Sequence, residues 1–164
     1  MPPMLCLIVA LNALECAGPD FIQGVVSSES GFDGAVTVVE ESVDDGLGVV
    51  TVSIPYKDVR GDNKMGQGRI IVRREDLESG KPLPAFCHVH YEKSVGGARE
   101  WCQRGWAVAT AHYKEGGGEF PIDPSVGDGY NLAHALVQWV RRLPFIDRTR
   151  LHVDGGSQGG YMAL

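Results

Sequence analysis

Arg150-Leu-His-Val-Asp154 followed by Gly155-Gly156-Ser157-Gln158-Gly159-Gly160-Tyr161 is the stretch on which the reading of this 164-residue chain turns. The first five residues read as a short strand. Tyr161-Met162-Ala163-Leu164 can open a helix. Between them lies G-x-S-x-G, from Gly155 to Gly159. A serine hydroxyl is a poor nucleophile until a base removes its proton and a rigid turn aims it at the substrate. A sharp strand-to-helix turn does the aiming. Side chains beside the serine would collide with the approaching strand and helix, and glycine at 155 and 159 removes that clash. The bare pattern is weak, since the chain holds 22 glycines. Its place after a strand and before a helix gives it weight. Two other readings compete. In one, Gly155–Gly160 is a glycine-rich connector whose serine caps the next helix. In the other it is a phosphate-binding loop, which fits poorly: no Gly-Lys-Ser/Thr ending is present, and Ser157 stands where a dinucleotide fingerprint needs its second glycine.

The residues before this turn alternate between two patterns. Ala85 to Tyr91 is an uncharged run of strand length. Gly96 to Arg104 reads as a helix closed by Gly105. Trp106 to Tyr113 is a second uncharged run, and Gly116-Gly117-Gly118 makes a loop. Asp128 is the expected N-cap of a helix whose Leu132, Ala133, Leu136, Val137 and Val140 repeat at helical spacing. Arg141 and Arg142 suit its C-terminal end, with Pro144 just beyond. Strand, helix, strand, helix, strand is the alternation of a parallel sheet with crossover helices, so the fold class is α/β.

Further out, the pattern is antiparallel. Val36 to Glu40, Val50 to Ile54 and Arg69 to Arg73 read as strands, with a turn at Asp44-Asp45-Gly46 and a polar connection from Lys57 to Gln67. Residues 19–164 are therefore read as one domain, with an antiparallel part over 19–80 and a parallel α/β part over 81–164. Residues 1–18 read either as a leader or as a short buried segment packed on the domain: Met4 to Leu14 is almost wholly apolar and Cys16-Ala17-Gly18 follows, although Met1 to Pro3 carry no basic residue. That segment leaves a secreted or periplasmic location open. No run reaches the roughly 20 residues of a spanning helix, so no stable membrane insertion is expected. The net charge of -6 and the lack of a basic cluster give no case for nucleic acid as a partner.

From about Pro82 to Leu164 the chain resembles the catalytic domain of prolyl-oligopeptidase-type α/β-hydrolases. The resemblance is carried by Gly155 to Tyr161, by the helix with Trp139-Val140, and by Gly105-Trp106-Ala107-Val108. It implies the N-terminal part of an α/β-hydrolase sheet, antiparallel strands first and parallel strands after, truncated after the nucleophile elbow. It implies a serine peptidase or esterase that works through an acyl-enzyme on a small-molecule ester or peptide, with no cofactor. Family members often carry an N-terminal propeller. The residues before Pro84 are too few for one, which leaves a small esterase or acyl hydrolase open.

An acyl-transfer site also needs two donors aimed where negative charge develops. One is the backbone N–H after the nucleophile, here that of Gln158. The other is expected from the loop after the strand Ala85 to Tyr91. Many esterases carry His-Gly-Gly there; this chain has His90-Tyr91-Glu92-Lys93. Relatives of the resembled family place a tyrosine hydroxyl at this point, so the resemblance implies Tyr91. Without it, Tyr91 is an aromatic residue packed at a strand end.

Other chemistry is thinner. His88 and His90 share one face of a strand, as ligands of some metal hydrolases do, but Glu92 is their one carboxylate neighbour in sequence, and no metal is expected. Neither histidine has an evident orienting carboxylate. His112, His134 and His152 read as hydrogen-bonded structural residues. Cys87 and Cys102 belong to no CxxC pair; they are expected as buried free thiols, with one disulfide left open for an exported form. In this fold the triad runs Ser, then Asp or Glu, then His. No such acid or histidine follows Ser157 in the sequence. The expectation is a fragment lacking both, silent as a hydrolase, whose last strand lacks a neighbour. A non-catalytic binding domain that keeps the elbow as a structural turn is the alternative.

Overall fold

The computed structural model describes residues 36–89, 96–112, 124–156, 159–160 and 163. The expected leader, residues 1–18, lies outside them. The elements are β1 (Thr37–Asp44), β2 (Leu47–Lys57), β3 (Asn63–Arg73), α1 (Arg74–Glu78), β4 (Leu83–Val89), α2 (Gly96–Gln103), β5 (Ala107–His112), α3 (Pro124–Val140) and β6 (Ile146–Asp154). The strands form one sheet in the order β1-β2-β3-β5-β4-β6. β1, β2 and β3 pair antiparallel, and so do β3 and β5. β4 pairs parallel with both β5 and β6. This is the expected α/β sheet with its antiparallel part first.

Local chemistry accounts for the turns. Asp45 and Gly46 both take positive φ, 47° and 78°, the pairing that suits a two-residue hairpin between twisted strands. Arg99 of α2 pairs with both Asp44 and Asp45 and ties this hairpin to the helix. Gly105, at φ 80°, ends α2: its N–H donates to the Cys102 carbonyl and the N–H of Trp106 to that of Trp101. That is the double bond of a glycine-terminated helix.

The two crossover helices cover opposite faces. Ala85 and Cys87 of β4 join Leu132, Leu136, Trp139 and Val140 of α3 in the larger core. Phe86, between them in sequence, joins Ala98 and Cys102 of α2 in a second core with Val49, Ile71 and Val108. The period of two along a strand, with both faces covered, explains why β4 and β5 read as uncharged runs.

Three features differ from the sequence reading. α3 begins at Pro124 and not after Asp128, which lies within the helix. Proline suits a first helical position because its fixed φ is already helical and its missing N–H would have had no partner. The polar connection is shorter than expected, for β3 starts at Asn63 and pairs with β2 in unbroken register from Lys57↔Asn63 to Leu47↔Arg73. Gly66 and Gly68 punctuate this strand because α3 lies on it. A Cβ at Gly66 would stand 2.5 Å from Leu132 Cδ1, and one at Gly68 2.6 Å from Ile54 Cδ1 and 2.9 Å from Leu136 Cδ1. The short α1 follows β3 directly, with Arg73 bonding Asp76 through Nε at 2.8 Å and Nη2 at 2.9 Å.

β6 joins β4 irregularly. The pairing jumps from Leu83↔Ile146 to Ala85↔Leu151 and then runs evenly to His88↔Asp154. The excess on β6 is taken up by a local turn. Asp147 accepts from the Thr149 N–H at 3.0 Å, the Thr149 hydroxyl at 2.6 Å and Arg150 Nε at 2.6 Å. Thr149 foremost, then Arg150, holds this carboxyl down at about 2. Among the described residues β6 has β4 as its one strand partner.

Candidate active site

β6 delivers the chain to the turn, and the described backbone on either side has strand-turn-helix form. The strand ends at Asp154 and helical backbone resumes at Gly159. The Gly159 N–H donates to the Gly156 carbonyl at 2.8 Å, and the Ala163 N–H to the Gly159 carbonyl at 3.0 Å. The first bond brings Gly159 back to Gly156, and the second has the i→i+4 spacing of a helix.

Gly155 is where this turn has no spare space. A Cβ there would lie 2.7 Å from the Val89 carbonyl oxygen and nearer still to the backbone of Gly159. All of these neighbours are main chain, which cannot swing aside. Gly159 is the residue whose backbone closes on Gly155. The contact with Val89 adds a second point: the turn stands on the carboxyl end of β4, where that strand gives way to the segment holding His90 and Tyr91. Ser157, Gln158, Tyr91 and His90 lie outside the described residues.

Around this end of the sheet one pairing was not legible in the sequence. His88 and Asp154 face one another across β4 and β6, with Nδ1 3.9 Å from Oδ2 and both side chains partly exposed. This corrects the expectation that His88 lacks a carboxylate. The partner comes from a strand more than sixty residues later. The His88 ring stacks beside Phe86 at 6.3 Å, and Phe86 also stacks on Trp101 at 4.5 Å and on His152 at 5.3 Å. His152 is thus an exposed ring stacked on Phe86. His134 sits 3.4 Å from Gln138 along α3, a local contact as expected.

Among the described residues the cysteines are not competing nucleophiles. Cys87 and Cys102 are free and buried. Burial pushes the Cys87 thiol up to about 12 and, as the leading cause, the Cys102 thiol up to about 11. Both stay protonated at neutral pH, and the thiolate is the reactive form. Among the described residues no three His, Cys, Asp or Glu side chains gather as metal ligands. No helix among them is long and apolar enough to cross a membrane.

No protein-family model matches the sequence, and no curated protein sequence does. Solved structures do match in fold. An acetyl xylan esterase from Paenibacillus sp. R4 aligns over 99% of this chain and 59% of its own, with a TM-score of 0.55 and 18% identity. An S-formylglutathione hydrolase from Agrobacterium tumefaciens aligns over 77% of this chain and 55% of its own, at TM-score 0.55 and 14% identity. A protein named as a dipeptidyl aminopeptidase IV from Bacteroides ovatus aligns over 71% of this chain and 18% of its own, at TM-score 0.54 and 17% identity. The chain thus spans less than three-fifths of the length of each of these structures. Its sheet order, crossovers and strand-turn-helix are those of part of an α/β-hydrolase fold.

Proposed function

We propose that the protein is a serine hydrolase of carboxylic esters, with Ser157 as its nucleophile. The observation that carries this reading is the close packing of Gly155 on the main chain of Gly159 and Val89. A generic glycine-rich connector has no need of such closeness. A nucleophile turn does, because its serine must project from a rigid, narrow bend at the carboxyl edge of the sheet.

The chemistry is acyl transfer. The Ser157 hydroxyl loses its proton to a base and attacks the ester carbonyl carbon. The resulting oxyanion accepts hydrogen bonds from the Gln158 N–H and the Tyr91 hydroxyl. The intermediate collapses with loss of the alcohol, which takes up the proton, and water then releases the acid from the acyl-enzyme. The base and its orienting acid, which this fold places after the nucleophile, are not assigned among residues 1–164. The adjacency of Val89 to the turn supports Tyr91, two residues further on, as the second donor.

Ester substrates are favoured over peptides by the antiparallel part. The acetyl xylan esterase is alike along 99% of the chain, whereas the dipeptidyl aminopeptidase is alike along 71%. A propeller-bearing oligopeptidase is correspondingly less favoured than a compact acyl esterase.

The test is fluorophosphonate labelling of the natural full-length protein. Labelling should vanish in Ser157→Ala, and equal labelling would reject the nucleophile. Tyr91→Phe should cost roughly 3 kcal/mol of transition-state stabilisation, mainly in kcat. An unchanged kcat would return Tyr91 to a packing role. Turnover of p-nitrophenyl acetate with none of a proline p-nitroanilide is expected; the reverse would favour a peptidase.

A further inference from the structure

The end of β6 has to be held in place for the turn beyond it to present anything accurately. Its hold on β4 is short. After the irregularity near Leu83, four consecutive pairs join the strands, Ala85↔Leu151 to His88↔Asp154. The last of these pairs stands directly before Gly155, at the point where the chain leaves the sheet. It is also where the two side chains carry complementary chemistry, with His88 Nδ1 3.9 Å from Asp154 Oδ2.

We infer that His88 and Asp154 are positioning residues for the nucleophile turn, an inference that rests on the reading of Ser157 above. Besides the main-chain ladder, two features meet where β6 leaves β4. One is the main-chain packing of Gly155 on the Val89 carbonyl. The other is the His88–Asp154 pair, one residue earlier on each strand. The packing limits how close the strands come but resists no separation. The main-chain ladder holds the strands together, and the side-chain pair adds an attraction at its last rung when the His88 ring is protonated. Because Gly155 also packs on Gly159, any slip of Asp154 passes to both ends of the turn. A nucleophile displaced by an ångström loses on the order of a hundredfold in rate, so a fraction of that shift is measurable.

The pair is a weak source of overall stability. Its side chains are 38% and 53% exposed, and ion pairs in that setting add little to folding. A positional role therefore separates from a structural one: rate should change while melting temperature barely moves.

The experiment compares Asp154→Asn, His88→Gln, the double variant and His88→Lys in the natural full-length protein. Fluorophosphonate labelling, p-nitrophenyl acetate kinetics, and amide hydrogen exchange at Gly155 and Gly156 are the readouts. Each single variant should lower kcat and labelling rate about tenfold with KM within about twofold, and should speed exchange at both glycines. The double variant should be no worse than the poorer single one, because both remove the same contact. His88→Lys, which places a cation beside Asp154, should recover most of the rate lost in His88→Gln. Wild-type rates and exchange in both singles would overturn the inference. So would losses that multiply in the double variant, or a raised KM at constant kcat. Ser157→Ala separates the two readings. If it labels like wild type, the nucleophile assignment falls and glycine exchange alone judges the pair, faster exchange supporting it and unchanged exchange refuting it.

Discussion

Replacing Gly155 by alanine adds one methyl group at the point where β6 becomes the turn. That Cβ would stand 2.7 Å from the Val89 carbonyl oxygen and still closer to the Gly159 main chain. Real carbon–oxygen contacts need about half an ångström more, and the gap cannot open through a side-chain rotation. Either β6 withdraws from β4 or the turn opens at Gly159. Overpacking of this kind costs about 1–3 kcal/mol, and main-chain neighbours put it at the upper end. For a domain of this size, 3 kcal/mol corresponds to a fall in Tm of roughly 6–12 °C. Reactivity should fall by about a hundredfold as well, since the turn is displaced on the ångström scale. Thermal denaturation and fluorophosphonate labelling read the two effects separately. Gly97→Ala in α2 is the control: nothing lies within 4 Å of its Cβ, and a helical glycine replaced by alanine should gain about 0.5–1 kcal/mol. A Gly155→Ala protein with wild-type Tm and labelling rate would refute the claim that this glycine is required by close approach.

Leu136→Ala should cost about 2–5 kcal/mol by urea denaturation, because the side chain is fully buried and reaches the floor that Gly68 opens on β3. Acid stability should show Asp147. Its folded carboxyl is held at about 2 against an ordinary 3.8, so its stabilisation is complete above the ordinary value and lost as pH falls toward 2. Tm curves of wild type and Asp147→Asn should therefore differ at neutral pH and converge in strong acid; a constant gap down to the lowest pH would contradict this assignment.

Much of the sheet was legible because each element carries its own local signal. The alternation Val50-Thr-Val-Ser-Ile54 marked β2, Asp44-Asp-Gly46 marked the hairpin, and Gly105 marked the end of α2. What local pattern missed was decided by neighbours. Asn63 to Gly68 looks like a polar connection, but β2 supplies its hydrogen bonds and α3 covers its glycines. Pro124 began α3 in place of Asp128 because a capping preference of about 1 kcal/mol is easily outweighed by further helical backbone.

The candidate site divides along the same line. Glycine at 155 was readable because the clash it avoids lies within one turn of chain. The pairing of His88 with Asp154 was not, because it depends on a lateral register. Between Leu83↔Ile146 and Ala85↔Leu151, β4 advances two residues while β6 advances five. The excess is odd in number, and in a structure of period two an odd slip exchanges the faces of a strand. Without the turn that Asp147 builds with Thr149 and Arg150, Leu151 and Val153 would leave the α3 side, and Asp154 would turn away from His88. A polar Asp-Arg-Thr-Arg run that reads as an unremarkable start to a strand thus sets both which side chains are buried beneath the turn and which carboxylate stands at its foot.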